Sequence, residues 1–129
     1  MNIRSLFLVV TAVGLTPIAL GYGAAPERSL AFLFDIPVES TELAHIFRAV
    51  MGLYLALVVF WLAGAIKPKL TQAALWSLVV FMFGLAAGRA LSLVLDGFPH
   101  WLLFVYLVLE VAFGAIGWML LRRGEAENA

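Results

Sequence analysis

Arg48, Arg89 and Glu110 are ionisable residues that stand inside long apolar stretches of the sequence. A charged side chain at the centre of a membrane-spanning helix costs about 2.5–3.5 kcal/mol on an insertion scale, so such residues usually face the interior of a bundle and pair there. At a rise of about 1.5 Å per residue, all three fall in the same half of the bilayer if their stretches are spanning helices. An arginine can hold a carboxylate through two parallel hydrogen bonds. We therefore predict that Glu110 is ionised and paired with Arg48 or Arg89.

Other polar residues lie three, four or seven positions from these charges, which is the spacing of neighbours on one helix face. Two arginines against one glutamate leave an excess positive charge. That excess suits an anionic guest, such as a lipid phosphate or a carboxylate, unless Asp96 cancels it. The seven predicted ligand-binding residues are His45, Arg48, Arg89, Ser92, Asp96, Tyr106 and Glu110.

The sequence offers little for catalysis or metal binding. It has no cysteine, and it contains no nucleotide-binding loop, nucleophile elbow or HExxH motif. His45 and His100 both stand near the ends of apolar stretches, but two histidines without a carboxylate pattern are a weak metal signal. We predict no metal and no cofactor, and we favour a non-enzymatic function while leaving catalysis open. The formal net charge of zero predicts no nucleic-acid partner.

The composition points to a membrane rather than water as the natural solvent of the chain. Hydrophobic residues make up 64% of its 129 residues and charged residues 12%, whereas soluble domains are about half apolar and about a quarter charged. A spanning helix needs about 20 mostly apolar residues. Four stretches meet this requirement, at about 5–25, 43–66, 71–95 and 100–121. We predict an all-α integral membrane four-helix bundle that forms one domain over residues 1–129.

The first apolar stretch has an alternative interpretation. Arg4, the apolar run and the small residues "GYGAA" at 21–25 also resemble a signal peptide. The apolar run is long for a signal peptide, so we predict a retained spanning helix. Pro17 within it is expected to kink the helix or to lie near a packing contact.

Basic residues indicate how the helices are oriented. Arg4 precedes the first stretch, Lys67 and Lys69 lie in the second loop, and Arg122 and Arg123 follow the fourth stretch. With four spans, all five fall on one side of the membrane. Basic residues favour the cytoplasmic side, so we predict that both termini are cytoplasmic.

The segment "SLAFLFDIPVEST" between the first two spans is too short in its apolar part to cross a membrane. We predict a short interfacial segment that ends at Pro37. Ser40 or Thr41 is then a good N-cap for the second span, with Glu42 favourable in its first turn.

Small residues four apart let membrane helices approach each other closely. Gly84 and Gly88 have this spacing in the third span, and Gly52 and Ala56 have it in the second. We predict that these residues pack helices within the bundle. The alternative is a homodimer that forms through one such face.

Three segments carry a resemblance to a known family: "HIFRAVMGLYLALVVFWLAGA", "FGLAAGRALSLVLDG" and "LEVAFGAIGWMLLRR". They resemble the bacterial family named domain of unknown function 4345, which is associated with the wider DoxX-like group of small four-helix membrane proteins. The resemblance implies a four-helix protein of the bacterial inner membrane, and it implies no activity. Some members of the wider group accompany quinone-linked oxidation or help other proteins to mature, which is an analogy only.

We predict that the polar cluster binds a lipid, a quinone-like molecule or another small amphiphile that enters from the outer leaflet. Two alternatives remain. In the first, the charges only lock the helices or reach out to lipid phosphates, and the chain is an accessory or structural subunit. In the second, the chain is a redox or transport component. The predicted partners are membrane lipids, a small amphiphilic ligand, and either further copies of the chain or another membrane protein.

Overall fold

The computed structural model describes residues 1–128, and these residues form five α-helices and no strand. The prediction of an all-α membrane bundle with a short additional segment after the first span is confirmed. The helices are α1 (Ile3–Gly23), α2 (Pro26–Phe34), α3 (Thr41–Ile66), α4 (Pro68–Asp96) and α5 (Trp101–Asn128).

Four of these helices are long and apolar enough to cross a membrane. They are α1, α3, α4 and the Trp101–Glu125 part of α5. Large apolar side chains cover the outside of the bundle, as at Val59, which is 66% exposed, and Val80, which is 65% exposed. Such a surface is suited to acyl chains rather than water.

Neighbouring spanning helices run antiparallel, in the spatial order α1, α3, α4, α5. α1 packs mainly on α3, α3 on α4, and α4 on α5, whereas α1 and α5 touch at few points. We call the end of the bundle that carries α2, residues 35–40 and residues 97–100 the distal end. The opposite end carries the N-terminus and the α3–α4 turn. The seam between α1 and α5 is thus the least closed side of the bundle.

Side-chain capping fixes where two of the helices begin. The Asn2 side chain accepts a hydrogen bond from the Ser5 amide at 2.8 Å, at the start of α1. The Ser40 hydroxyl accepts one from the Leu43 amide at 3.1 Å, at the start of α3. Each bond satisfies an amide that has no partner within its helix. Of the two predicted N-caps, the structure selects Ser40 rather than Thr41.

The segment after the first span forms a two-turn helix that packs on the bundle. Leu30 and Phe34 of α2 are buried in the core. The helix ends at Phe34, and the predicted end of the interfacial segment at Pro37 follows three residues later. The helix stops there because Asp35 adopts a left-handed conformation with φ of 58°. Aspartate is among the few residue types that tolerate this conformation.

Two glycines permit the closest helix contacts. A Cβ atom at Gly23 would lie 2.7 Å from the Phe47 carbonyl oxygen, where α1 meets α3. A Cβ atom at Gly64 would meet the Ala74 side chain, where α3 meets α4. No larger residue fits at either crossing without moving a helix.

Three glycines that a four-residue spacing of small residues predicted to pack helices together do not meet another helix within the described chain. A Cβ atom at Gly52, Gly84 or Gly88 would meet nothing within 4 Å. The prediction that these three residues pack the bundle is therefore wrong for the described chain. Gly114 does face another helix, because a Cβ there would lie 2.8 Å from the Phe83 ring.

Candidate functional site

Arg89 and Glu110 form a buried ion pair between α4 and α5. The Arg89 Nε–H donates to Glu110 Oε1 at 2.7 Å and to Oε2 at 3.1 Å. The Glu110 side chain is 8% exposed and that of Arg89 is 22% exposed. The predicted pairing of Glu110 with an arginine is confirmed. Its geometry differs from the predicted parallel pair, because both carboxylate oxygens share one N–H.

The sequence brings these two residues together through the antiparallel hairpin of α4 and α5. Arg89 lies about two turns before the end of α4, and Glu110 lies about two and a half turns after the start of α5. A short connection at 97–100 joins the two helices, so the residues come to the same level. Gly97 adopts a positive φ of 92° at this connection, which favours glycine.

The three tyrosines of the chain gather around Arg89. The Arg89 Nη2–H donates to the Tyr22 hydroxyl at 3.1 Å. The Tyr106 ring lies with its centroid 5.9 Å from Arg89 Cζ, which is within range of a cation–π contact. The Tyr54 ring packs edge-on against Tyr22, at 5.7 Å between ring centroids. Arg89 thus connects α1, α4 and α5 through side-chain contacts.

Of these tyrosines, only Tyr106 was predicted from the sequence. Tyr22 and Tyr54 stand on other helices, so no periodic spacing connects them to Arg89 or Glu110. One signal was available. A buried tyrosine hydroxyl usually needs a hydrogen-bond partner, and an arginine within an apolar stretch, such as Arg89, can supply one.

Arg48 and His45 lie apart from this pair. The Arg48 Nη1–H donates to the Gly23 carbonyl oxygen at 3.1 Å. That carbonyl belongs to the last turn of α1, where carbonyls have no partner within the helix. Arg48 therefore caps α1 from α3. Arg48 and His45 line a surface pocket at the distal end. The seven residues predicted to form a single cluster are therefore divided into separate groups.

Ser92 and Asp96 form a local pair on α4. The Ser92 hydroxyl donates to Asp96 Oδ2 at 2.6 Å, one turn further along the helix. Ser92 also borders a small pocket of about 100 Å³, which Arg89 lines as well. Asp96 is exposed and forms no ion pair or hydrogen bond with Arg89 or Glu110 among the described residues. Ser92 and Arg89 therefore border the same pocket, whereas Asp96 lies on the exposed surface of α4.

A cleft of about 210 Å³ opens beside the ion pair, at the seam between α1 and α5. Its walls are almost entirely apolar, and Arg89, Tyr106 and Glu110 form its polar end. Gly14 and Leu109 lie on its rim, and Leu109 is 41% exposed. The other wall residues are Thr11, Leu15, Ile18, Tyr54, Met82, Leu85 and Phe113.

The ion pair, the tyrosines and the cleft lie within a stretch that a protein-family model matches over residues 3–121. The chain belongs to the family Domain of unknown function (DUF4345). The DUF4345 match covers α1 to α4 and most of α5, so the fold described above lies almost wholly within the family region. No curated protein and no solved structure matches the chain. Membership of DUF4345 assigns no activity, and the relation to the DoxX-like group stays a prediction.

Proposed function

We propose that this protein binds a small amphiphile in the cleft between α1 and α5. The polar head of the ligand lies at Arg89, Glu110 and Tyr106, and its apolar part lies along the wall formed by Leu15 and Phe113. One observation carries the proposal: an apolar cleft at the open seam of the bundle has a buried ion pair at one end. Ligand sites are typically apolar hollows with a few convergent polar groups.

The charges favour an uncharged head. Arg89 and Glu110 neutralise each other, and Arg48 lies at the end of α1 instead of adding a second positive charge. An anionic guest therefore loses the attraction that the sequence predicted for it. Tyr106 lines the cleft, and its hydroxyl makes no hydrogen bond within the described chain, so it is free to donate to a carbonyl or hydroxyl oxygen of a guest. A quinone-like molecule has such a head.

The size and position of the cleft fit this class of ligand. An apolar cavity of about 150 Å³ is large enough to bind benzene, so a cleft of about 210 Å³ holds a substituted six-membered ring. The rim at Gly14 and Leu109 faces the outside of the bundle, and a ligand enters sideways from the membrane. A longer apolar tail remains among the surrounding lipids.

The proposal includes an orientation in the membrane. Arg4, Lys67, Lys69, Arg122 and Arg123 lie at the end of the bundle opposite α2. We place that end, with both termini, in the cytoplasm of a bacterium whose inner membrane holds the protein. The polar end of the cleft then lies in the outer half of the bilayer.

A second candidate function is that of a non-catalytic accessory subunit. Arg89 connects three spanning helices, which supports a purely structural role for the ion pair. The face at Gly84 and Gly88 is not covered by another helix of the described chain, and a small-residue face of this kind suits a helix of a partner membrane protein or of a second copy.

The two candidates are separated by a binding experiment on the purified full chain. Leu109→Trp fills the rim of the cleft, and Val108→Trp is the matched control, because Val108 is 54% exposed on the same helix and does not line the cleft. A short-chain benzoquinone is added at increasing concentration in detergent, and its binding is measured from the rise in the unfolding temperature of each protein. We expect Leu109→Trp to weaken binding at least about tenfold, and Val108→Trp to leave it unchanged.

Equal binding by the two tryptophan variants shows that the cleft is not the site. An accessory function predicts a different result: a protein partner co-purifies in fixed stoichiometry, and the benzoquinone does not shift the unfolding temperature of the wild-type chain.

A further inference from the structure

The surface pocket lined by Arg48 and His45 has a volume of about 410 Å³ and lies at the distal end, away from the cleft. It is formed by the start of α2, the loop before α3 and the first two turns of α3. Four of its wall residues are ionisable, namely Glu27, Glu39, His45 and Arg48. The volume lies within the range of about 300–1,000 Å³ that is typical of small-molecule sites.

The opposite charges in this pocket do not pair with each other. Among the described residues, neither Glu27 nor Glu39 forms a salt bridge or a side-chain hydrogen bond. Arg48 makes one hydrogen bond, from Nη1 to the Gly23 carbonyl oxygen, so most of the five N–H groups of its guanidinium remain available. Two carboxylates and a guanidinium thus border the same space and remain open to a guest that carries both signs of charge.

The surroundings of the pocket are those of a membrane boundary. Ile46, which follows His45 on α3, is 56% exposed, and Phe32 of α2 is 87% exposed. Below this level α3 continues as a spanning helix with an apolar surface. A guest with a dipolar head and acyl chains therefore places its head in the pocket and its chains against α3.

We infer that this pocket binds the headgroup of a zwitterionic phospholipid that carries a phosphate and a primary ammonium group. Arg48 and His45 hold the phosphate, because a guanidinium matches phosphate geometry with two N–H groups. Glu27 and Glu39 accept hydrogen bonds from the ammonium group. The site is separate from the cleft at Arg89, and neither proposal depends on the other.

The balance of charge selects among lipids. The two carboxylates outnumber Arg48, so an anionic headgroup without a cation brings a third negative charge to the pocket. A quaternary ammonium headgroup supplies the positive charge but has no N–H to donate to Glu27 or Glu39. The order of affinity is therefore phosphatidylethanolamine, then phosphatidylcholine, then phosphatidylglycerol.

The test is lipid titration of the full, delipidated chain in detergent, read by native mass spectrometry. The three probes are dioleoyl forms of phosphatidylethanolamine, phosphatidylcholine and phosphatidylglycerol. We expect wild-type protein to bind phosphatidylethanolamine about tenfold more tightly than phosphatidylglycerol, since a hydrogen bond to a charged group is worth about one decade in affinity or more. The double variant Glu27→Gln, Glu39→Gln should lose this preference.

Matched controls exist on the same elements. Glu42→Gln removes a carboxylate from the first turn of α3 outside the pocket, and it should keep the preference for phosphatidylethanolamine. On the basic side, His45→Ala should weaken the binding of all three lipids without disturbing the bond between Arg48 and Gly23. Arg28→Gln on α2, also outside the pocket, should leave all three affinities unchanged.

Two results overturn the inference. One is equal binding of the three lipids by wild-type protein. The other is an unchanged preference for phosphatidylethanolamine in the Glu27→Gln, Glu39→Gln variant. Neither result bears on the binding of a benzoquinone at the cleft.

Discussion

Glu110 directs both of its oxygen atoms to one N–H of Arg89, and this leaves another nitrogen of the guanidinium for the Tyr22 hydroxyl. The three groups come from three spanning helices, so one side chain fixes the relative positions of all three. Removing one partner of a buried ion pair strongly destabilises a protein, whereas replacing both partners by apolar residues often does not. At the scale of single residues, the question is therefore whether the Arg89–Glu110 pair stabilises the fold or binds a ligand.

Single and paired replacements at these two residues answer that question. Arg89→Ala and Glu110→Gln should each lower the free energy of unfolding by about 3–5 kcal/mol, because each leaves the other member buried without its partner. The double variant Arg89→Met, Glu110→Leu should unfold within about 1 kcal/mol of wild-type protein or be more stable. Denaturant unfolding in detergent micelles measures all four proteins. A double variant as unstable as either single variant contradicts the prediction.

The partner of Glu110 was predictable, and the position of Arg48 was not. A carboxylate near the middle of an apolar helix has few ways to be neutralised, so a partner on a neighbouring span follows from the cost of an unpaired charge. An arginine near the end of a span has more options. Arg48 is held by a backbone carbonyl of α1. Carbonyls in the last turn of any helix lack partners, but the sequence does not show which side chain reaches which helix end.

At the scale of elements, the crossing of α1 and α3 depends on Gly23. The Phe47 carbonyl and the Arg48 backbone fill the space where a side chain would stand. The capping of α1 by Arg48 requires the same close approach, since it joins the end of one helix to the second turn of the other. The glycine and the arginine therefore act as a unit.

Replacing Gly23 by alanine tests this contact. We expect Gly23→Ala to lower the free energy of unfolding by about 1–3 kcal/mol through overpacking. Gly52→Ala is the matched control on α3, where a Cβ atom meets nothing within 4 Å, and it should be neutral or stabilising by up to about 1 kcal/mol. Thermal unfolding of the three proteins in one detergent gives the comparison. A loss of stability in Gly52→Ala as large as that in Gly23→Ala would contradict it.

Helix positions were predictable from apolar length, but the contacts between helices were not. The spacing of Gly84 and Gly88 is the same whether their face meets another helix, a second molecule or lipid. Ala19 stands four positions before Gly23, but this spacing alone does not distinguish the glycine that meets α3 from Gly84 and Gly88, which meet no helix of the described chain. The helical part of the interfacial segment was likewise not predictable in detail, because the left-handed Asp35 ends α2 before Pro37.

At the scale of the whole molecule, the even number of spanning helices places the N-terminus and the α3–α4 turn at one end and α2 at the other. The absence of cysteine from the sequence makes each introduced cysteine a unique label. In intact cells, Arg28→Cys and Phe98→Cys should react with a membrane-impermeant maleimide, and Lys69→Cys should react only after the cells are opened. Labelling of Lys69→Cys in intact cells would contradict the proposed orientation.

The ion pair between α4 and α5 also has a consequence for how the protein is made. Ribosomes deliver α4 before α5, so the guanidinium of Arg89 leaves the ribosomal tunnel before the carboxylate of Glu110 does. A lone arginine at this depth disfavours transfer into lipid. The last two helices should therefore partition from the translocon together, as a preassembled hairpin, and a nascent chain truncated after residue 96 should be retained at the translocon or degraded.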